Sequence, residues 1–546
     1  DRFMPTLGVG AVTGRLSVDG RGYNPMARST SIDASMTLND ATYLDRRYSD
    51  IRLQTTLHAG HASATLDSRN PGADASLNLD ALLDGDSIHY NLDAILRDIN
   101  LLTLNLADTI NGGRLNLSSQ GFYNTATSGF DITASVADLY WRIPGVTISP
   151  SAPIKLSSRS ETDGSLTSLT NGDMIIRLAT PSSLPDVIAM LPSAMTVISG
   201  QIDSMRVNVP ALSAAMPKFN LTASLGPNNI ASQYLASGSD ITFRRAVASF
   251  SNDSLIHFNA LVNSINSGST RIDTITISAN QRGEYLLYDL TMNNRPGTWD
   301  DFAHVTLNGF AGANHLSSFL RQNNIKGENG FTIGFNTEVS DSVVKVHLVP
   351  GKPTIAYKPW KLNPDNYITY DLMSRHLDAD INLSGDDSYL RIFTEHASHH
   401  DHDGEQEDLV IQLSRIHLQD WLSINPFAPP VKGDVSANLR LNYNNSVLTG
   451  RGSVSLNDLY YGRERVGDFD LALDVANAPG GHLMADVTLM VDSIPTITAR
   501  GVLNDSTLAT PFLLDFRMIR FPLAVVNPFL PQGTGSLSGM RICEMT

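Results

Sequence analysis

The sequence predicts an all-β protein, an elongated and curled antiparallel sheet of repeated units with a few short helices along one edge. Three observations carry that prediction. Apolar and polar residues alternate along many short segments, two stretches share the same punctuation at a fixed offset, and helix-forming charged blocks are scarce. Asn425, Pro426, Phe427, Gly433 and Val435 reappear 102 positions later as Asn527, Pro528, Phe529, Gly535 and Leu537. In both places a short apolar segment, Trp421 to Ile424 or Leu523 to Val526, breaks at Asn-Pro-Phe, and an alternating strand restarts after a glycine.

Along the chain the elements follow from their residues. Gly8, Gly10 and Gly14 have the look of a dinucleotide-binding turn, but the third glycine comes one residue late and alternation follows it, so Gly14 reads as a strand start. Ser35 to Asp40 with Tyr43, Arg47 and Asp50 matches Ser453 to Asp458 with Tyr461, Arg465 and Asp468, an offset of 418, and Ser135 to Trp141 matches Ser455 to Tyr461 at 320. The unit therefore drifts between roughly 90 and 130 residues, with approximate units 1–110, 111–197, 198–324, 325–430, 431–532 and a truncated start at 533–546. Looser copies of the apolar segment and Gly-led strand run over 101–113, 184–200 and 316–330, with a remnant at 3–14. The segments Ser183 to Leu191 and Leu418 to Ile424 suit short helical caps, and Pro185 sits where a first helical turn accepts it.

The clearest strands have one apolar and one wet face. Leu377, Ala379, Ile381 and Leu383 alternate with His376, Asp378, Asp380 and Asn382. Val435, Ala437, Leu439 and Leu441 alternate with Asp434, Ser436, Asn438 and Arg440; Phe469, Leu471, Leu473 and Val475 alternate with Asp468, Asp470, Ala472 and Asp474. Successive residues of a strand point to opposite faces, so these twelve apolar residues are the expected lining of one greasy surface. Clusters such as Gly385-Asp386-Asp387-Ser388 and Asn444-Asn445-Ser446 supply the turns.

Bulk composition excludes several functions. Charged residues are 17% of the 546, and the net charge is -16 without a basic run, which argues against nucleic acid and anionic membrane surfaces as partners. The single cysteine, Cys543, rules out a disulfide within the chain and a thiolate cluster. No apolar run reaches the ~18 residues of a membrane span. With no leader evident, an opening at Asp1 and a stop at Thr546 inside a Gly-led strand, the chain is expected to be an internal piece of a longer protein.

No catalytic, cofactor or metal site is expected. The cluster Glu395-His396, His399-His400-Asp401-His402-Asp403 holds zinc-ligand residue types, but it lacks the helical HExxH spacing and reads as a solvated loop. Asp378 with Asp380 and Asp468 with Asp470 sit on wet faces, unsuited to acid-base work. There is no P-loop and no Gly-x-Ser-x-Gly elbow. The aromatic positions Tyr43, Tyr461 and Tyr140-Trp141 read as packing positions rather than a carbohydrate platform.

The Asn-Pro-Phe-x5-Gly segment, the Leu-Asn-Asp-x-x-Tyr strand and the stretch Pro359-Trp360-x-Leu362-x-Pro364-x-Asn366-x-Ile368 resemble the repetitive middle region of the TamB family of AsmA-like proteins. The resemblance implies a U-shaped β-taco sheet in the periplasm of a Gram-negative bacterium, carrying phospholipid acyl chains between inner and outer membranes. It also implies support of outer-membrane protein assembly with an Omp85-type barrel partner, docked through another region, and anchoring to the inner membrane by an N-terminal helix; neither the helix nor the docking end is identifiable in this sequence. About 45 strands at ~4.8 Å spacing would make such a sheet roughly 200 Å long. The rival readings are tandem β-sandwiches of a structural or adhesive surface protein, and an enzyme on a parallel β-helix. Sandwiches would show linkers between units, and β-helix coils repeat every ~20 to 30 residues.

Overall fold

The computed structural model describes all of the chain except residues 1–8, 44–45, 105, 205, 269, 295–303, 396–407, 423–428, 445–446, 478–481, 504–511, 530–538 and 546. The chain is all-β, and among the described residues the strand pairings are antiparallel, from Val9 against Tyr43 to Phe516 against Met545. Its residues fall into two units, one of Asp1–Ser204 with Asn208–Met292 and the other of Met205–Val207 with Asn293–Thr546. The boundary lies inside the predicted 198–324 segment.

The first unit opens with eight strands: β1 (Val9–Arg21), β2 (Ser31–Tyr43), β3 (Arg46–His58), β4 (His61–Asn70), β5 (Ala73–Asp84), β6 (Ser87–Asn100), β7 (Gly112–Asn124) and β8 (Phe130–Ile143). After the short β9 (Val146–Ile148) come β10 (Ile154–Glu161), β11 (Gly164–Asn171) and β12 (Met174–Thr180). Helices α1 (Leu184–Asp203) and α2 (Val209–Ala215), β13 (Asn220–Leu225), α3 (Ile230–Ser239) and β14 (Ile241–Thr242) follow, then β15 (Arg245–Asn252), β16 (Ile256–Ser267), β17 (Thr270–Arg282) and β18 (Tyr285–Asn293). From β1 to β8 each strand pairs with the next in sequence; β8 then pairs with β10, and the ladder continues through β11, β12, β13, β15, β16 and β17.

In the second unit the strands are β19 (His304–Gly312), β20 (His315–Asn323), β21 (Asn329–Ser340), β22 (Val343–Ile355), β23 (Lys358–Pro359), β24 (Lys361–Leu362), β25 (Tyr367–Asp371), β26 (Leu377–Ser384), β27 (Tyr389–Glu395) and β28 (Asp408–His417). Helix α4 (Leu418–Leu422) leads to β29 (Val431–Asn444), β30 (Val447–Tyr461), β31 (Glu464–Asn477), β32 (Leu483–Val491), β33 (Ile494–Leu503) and β34 (Phe512–Pro522). A 3-10 turn, Leu523–Phe529, precedes β35 (Met540–Met545). Again each strand joins its sequence neighbour, except that β22 pairs with β25 and β24 with β26, around the small β22–β23 corner. Thirty-five strands are thus present among the described residues, against the ~45 expected. Many are longer than a typical strand, up to the 15 residues of β30.

The repeated Leu-Asn-Asp segment is a β-bulge. Asp138 and Asp458, related by the 320 offset, both sit in left-handed backbone at φ 52° and 49°, where the ladder slips between Arg114 and Asn116 and between Leu456 and Leu459. Aspartate is among the residues that tolerate that conformation, and bonds across the ladder accompany it: Asn116 Nδ2 donates to Asp138 Oδ2 at 2.7 Å, and the Asp458 backbone N–H donates to Asp468 Oδ1 at 2.7 Å. In the copy at 418 the left-handed residue moves across the hairpin, to Asp50 at φ 54°. Gly433 is the third residue of β29 rather than its start; its N–H donates to Gln419 Oε1 of α4, and its φ of 154° suits glycine.

Other expectations change. Gly14 lies inside β1, and Gly200 lies inside α1 rather than at a strand start, because α1 runs on past Pro192 for 20 residues from its Ser183 cap. Leu316 belongs to β20, not to a cap. Asn425, Pro426, Phe427, Gly535, Leu537 and the residues 396–403 lie outside the described residues. Arg114 lies over the Tyr140 ring, and Trp141 Nε1 donates to Asn111 Oδ1 at 2.8 Å.

Candidate functional site: an apolar sheet face

Cross-strand register decides whether alternating strands add up to a surface, because a one-residue slip would turn every side chain over. In the second unit it keeps them aligned over nine strands. Leu383, Leu390, Leu413, Ala437, Val454, Leu471, Leu489, Ile497 and Met518 stand directly opposite one another in turn from β26 to β34. A parallel row runs through Ile381, Ile392, Ile411, Leu439, Gly452, Leu473, Val487, Ala499 and Phe516. Val435 meets Leu456, which meets Phe469, and Leu441 meets Gly450, which meets Val475. With Leu377 and Ala379 on the same side of β26, all twelve residues expected to line a greasy surface share one face.

The first unit carries the same arrangement. Met36, Leu53, Leu66, Leu77, Ala94, Leu117, Val136 and Ile154 form one row from β2 to β10. A neighbouring row continues from Ala134 through Leu156, Leu169, Ile176, Ala223, Ala248 and Ala260 to Ile277 on β17. The opposite face is hydrophilic. Two open depressions of about 650 and 750 Å³ lie there, sharing Asn91, Gln120 and Thr133 and lined mainly by hydroxyl, amide and carboxylate groups.

Among the described residues much of the apolar face is only partly covered: Leu439, Leu441, Leu471, Leu473 and Val475 are half-buried, screened by their row neighbours.

One part of the face is different. Ala379, Ile381 and Leu383 are 2%, 3% and 2% exposed. Ile381 and Leu383 pack into a cluster with Phe331, Ile355, Trp360, Leu362 and Ile416, against which Val435 and Trp421 of α4 also rest. Trp360 and Trp421 meet edge to face at 5.8 Å, and a Cβ on Gly385 would come within 2.9 Å of the Trp360 ring. The β26 residues, with Val435 and Ala437 of β29, therefore face packed side chains, while Leu439 and Leu441 of β29 and Leu471, Leu473 and Val475 of β31 are half-buried. Sequence patterning could not separate these cases, since the covering tryptophans come from segments distant in the chain.

Ionic groups gather away from the apolar rows. Asp474 stands opposite Asp486, which pairs with Arg500 at 2.7 Å. Asp378 is less solvated than its wet-face position suggests, since it accepts a hydrogen bond from Tyr367 Oη at 3.0 Å. Burial first, and then that bond and the nearby carboxylates, push the Tyr367 hydroxyl up from its ordinary range. At the foot of α4, His417 lies 2.6 Å from Asp434 through Nδ1 and 3.4 Å from Asp387 through Nε2. The Asp434 bond, aided by both carboxylate charges and opposed by burial, holds the His417 imidazole above its usual value.

Among the described residues no group of three or more His, Cys, Asp or Glu is placed to hold a metal ion, and no helix is long and apolar enough to cross a membrane. The chain matches no family model, no curated protein and no solved structure.

Proposed function

We propose that the apolar faces of the two units carry phospholipid acyl chains, so that the protein serves as a non-catalytic lipid-transfer bridge in the periplasm of a Gram-negative envelope. The observation that supports this reading is the apolar row from Val454 through Leu471, Leu489 and Ile497 to Met518, each half-buried. Exposing the ~30 methylenes of two acyl chains to water costs on the order of 20 kcal/mol at ~0.8 kcal/mol each, so a carrier has to shield them throughout transfer. Rows of Leu, Ile and Val at strand spacing offer that shielding without any moving part. The resemblance to the TamB family points the same way, and assigns anchoring in the inner membrane and docking to an Omp85-type barrel to other regions of such proteins. In a closed sandwich, by contrast, Leu439 and Leu471 would meet only protein.

Photo-crosslinking residues placed at Leu439 or Leu471, read together with native mass spectrometry of the purified chain, test the proposal. The expected products are phospholipid adducts at both positions. Adducts to protein alone, with no lipid accompanying the chain, would sink it.

A further inference from the structure

Strand β1 has one edge without a neighbour. Among the described residues it pairs with β2 alone, and every residue from Ala11 to Arg21 is exposed. Leu16 and Val18, 70% and 64% exposed, stand opposite Met36 and Ala34 and so belong to the apolar rows, but they are flanked on one side only. Edges that stay unpaired in solution are ordinarily blunted by proline, lysine, bulges or shortness. β1 runs for 13 residues without proline or lysine, and its register shifts lie ahead of Gly14, so the run from Gly14 to Arg21 is regular.

That run is self-complementary. About Ser17, Gly14 corresponds to Gly20, Arg15 to Asp19 and Leu16 to Val18. Two copies of β1 set antiparallel with Ser17 against Ser17 therefore place glycine beside glycine, leucine beside valine, and each Arg15 beside the other copy's Asp19. Directly opposed residues share a face, so the apolar row through Leu53, Met36 and Leu16 would run on into Val18 and Ala34 of the second copy. Moving the centre by one residue loses the match: about Val18, Arg15 meets Arg21, and about Leu16 it meets Ser17. The two charges also lack partners within the chain. Neither Arg15 nor Asp19 forms an ion pair among the described residues, and Asp19 stands directly opposite Asp33 on β2, a like-charged arrangement that a cation on the free side relieves.

We propose that β1 joins two copies of this chain by antiparallel edge-to-edge pairing about a two-fold axis at Ser17, so that the apolar and polar faces continue from one copy into the other. The proposal goes beyond the lipid-carrier reading and does not depend on what the apolar face carries. A contact of one strand per copy is small, which fits a reversible, micromolar association.

Sedimentation equilibrium of the purified chain from about 1 to about 100 μM tests it. The average mass should rise by up to about twofold across that range. Arg15→Asp and Asp19→Arg, each alone, set like charges against one another at both ends of the pairing and should weaken association at least about tenfold. An equimolar mixture of the two variants restores both opposite-charge contacts and should dimerise as the parent does. Both positions are exposed at the edge, so circular dichroism should find the three proteins equally folded. A parent that stays monomeric, association that neither change weakens, or a mixture that fails to recover overturns the proposal. Assembly that grows beyond two copies overturns it as well, since β1 would then be taking a different edge of its neighbour.

Discussion

Replacing Leu471 and Ile381 by aspartate, one at a time, separates an open apolar face from a packed core. Leu471 is half-buried between Val454 and Leu489. Complete burial of a leucine side chain is worth ~2 kcal/mol, so the partly buried Leu471 forfeits up to that amount, with about 0.5 kcal/mol more for lost strand preference. At a partly exposed position the new carboxylate keeps contact with water. The total, about 2 kcal/mol, leaves the second unit folded. Ile381 is 3% exposed beneath Trp360 and Leu362. There the change creates a cavity worth ~2 to 5 kcal/mol and buries an unpaired charge at several kcal/mol more, which approaches the whole stability of a domain. Circular dichroism with hydrogen exchange should therefore find Leu471→Asp folded and Ile381→Asp unfolded across β24 to β29, and native mass spectrometry should find lipid lost from the folded Leu471 variant. Equal unfolding by both changes would refute the reasoning, because it would mean that a layer covers β31 as well.

His417 makes the second unit's stability depend on pH. Its folded value is raised by Asp434 and Asp387, so its contribution is complete below the unfolded value near 6.5 and fades as pH rises through the folded one. Asp387 is pulled the other way: burial opposes its ionisation, but the His417 hydrogen bond and the His417 and Arg415 charges win and lower it. Its contribution is present above the unfolded carboxylate value and is lost as pH falls through the lowered one. Melting curves should thus peak between the two limits, and His417→Gln should flatten the alkaline side; an unchanged profile would remove the pair from the account. A Cβ on Gly113 would collide with the carbonyl oxygen of Tyr140, so Gly113→Ala should cost roughly 1 to 3 kcal/mol and speed exchange in β7 and β8. Replacing His396, His399, His400 and His402 together by Ser should alter neither melting nor lipid content, and a micromolar zinc affinity abolished by that change would prove the loop reading wrong.

Strands were legible in the sequence where one face is polar. Alternation at 377–383, 435–441 and 469–475 located β26, β29 and β31 because a half-solvated antiparallel strand has to alternate. The Leu-Asn-Asp repeat was visible too, although its meaning as a bulge required backbone angles. What sequence missed has physical causes. Gly200 read as the start of a strand, yet α1 runs through Pro192 to Asp203 because its Ser183 cap and its packing on α2 outweigh local propensity. Asn229 caps α3 through its bond to Ser232 N, and Asp173, more than 50 residues away, bonds Gly226 N, Asn228 N and Asn229 Nδ2. Such partners leave no periodic trace. The Trp360 and Trp421 contact that closes part of the apolar face is equally a matter of tertiary meeting.

Pairing in sequence order also governs how such a chain can be assembled. Among the described residues, and apart from β9, the β22–β26 corner and the helical insertions around β13, most strands within each unit pair with the one made just before them. Loop closure is therefore small at most steps, and little has to wait for a distant segment. A chain delivered one end first can zip strand by strand, exposing at any moment a single growing edge. Long β proteins are ordinarily slow to fold because remote strands must meet; here length adds steps without lengthening any one of them.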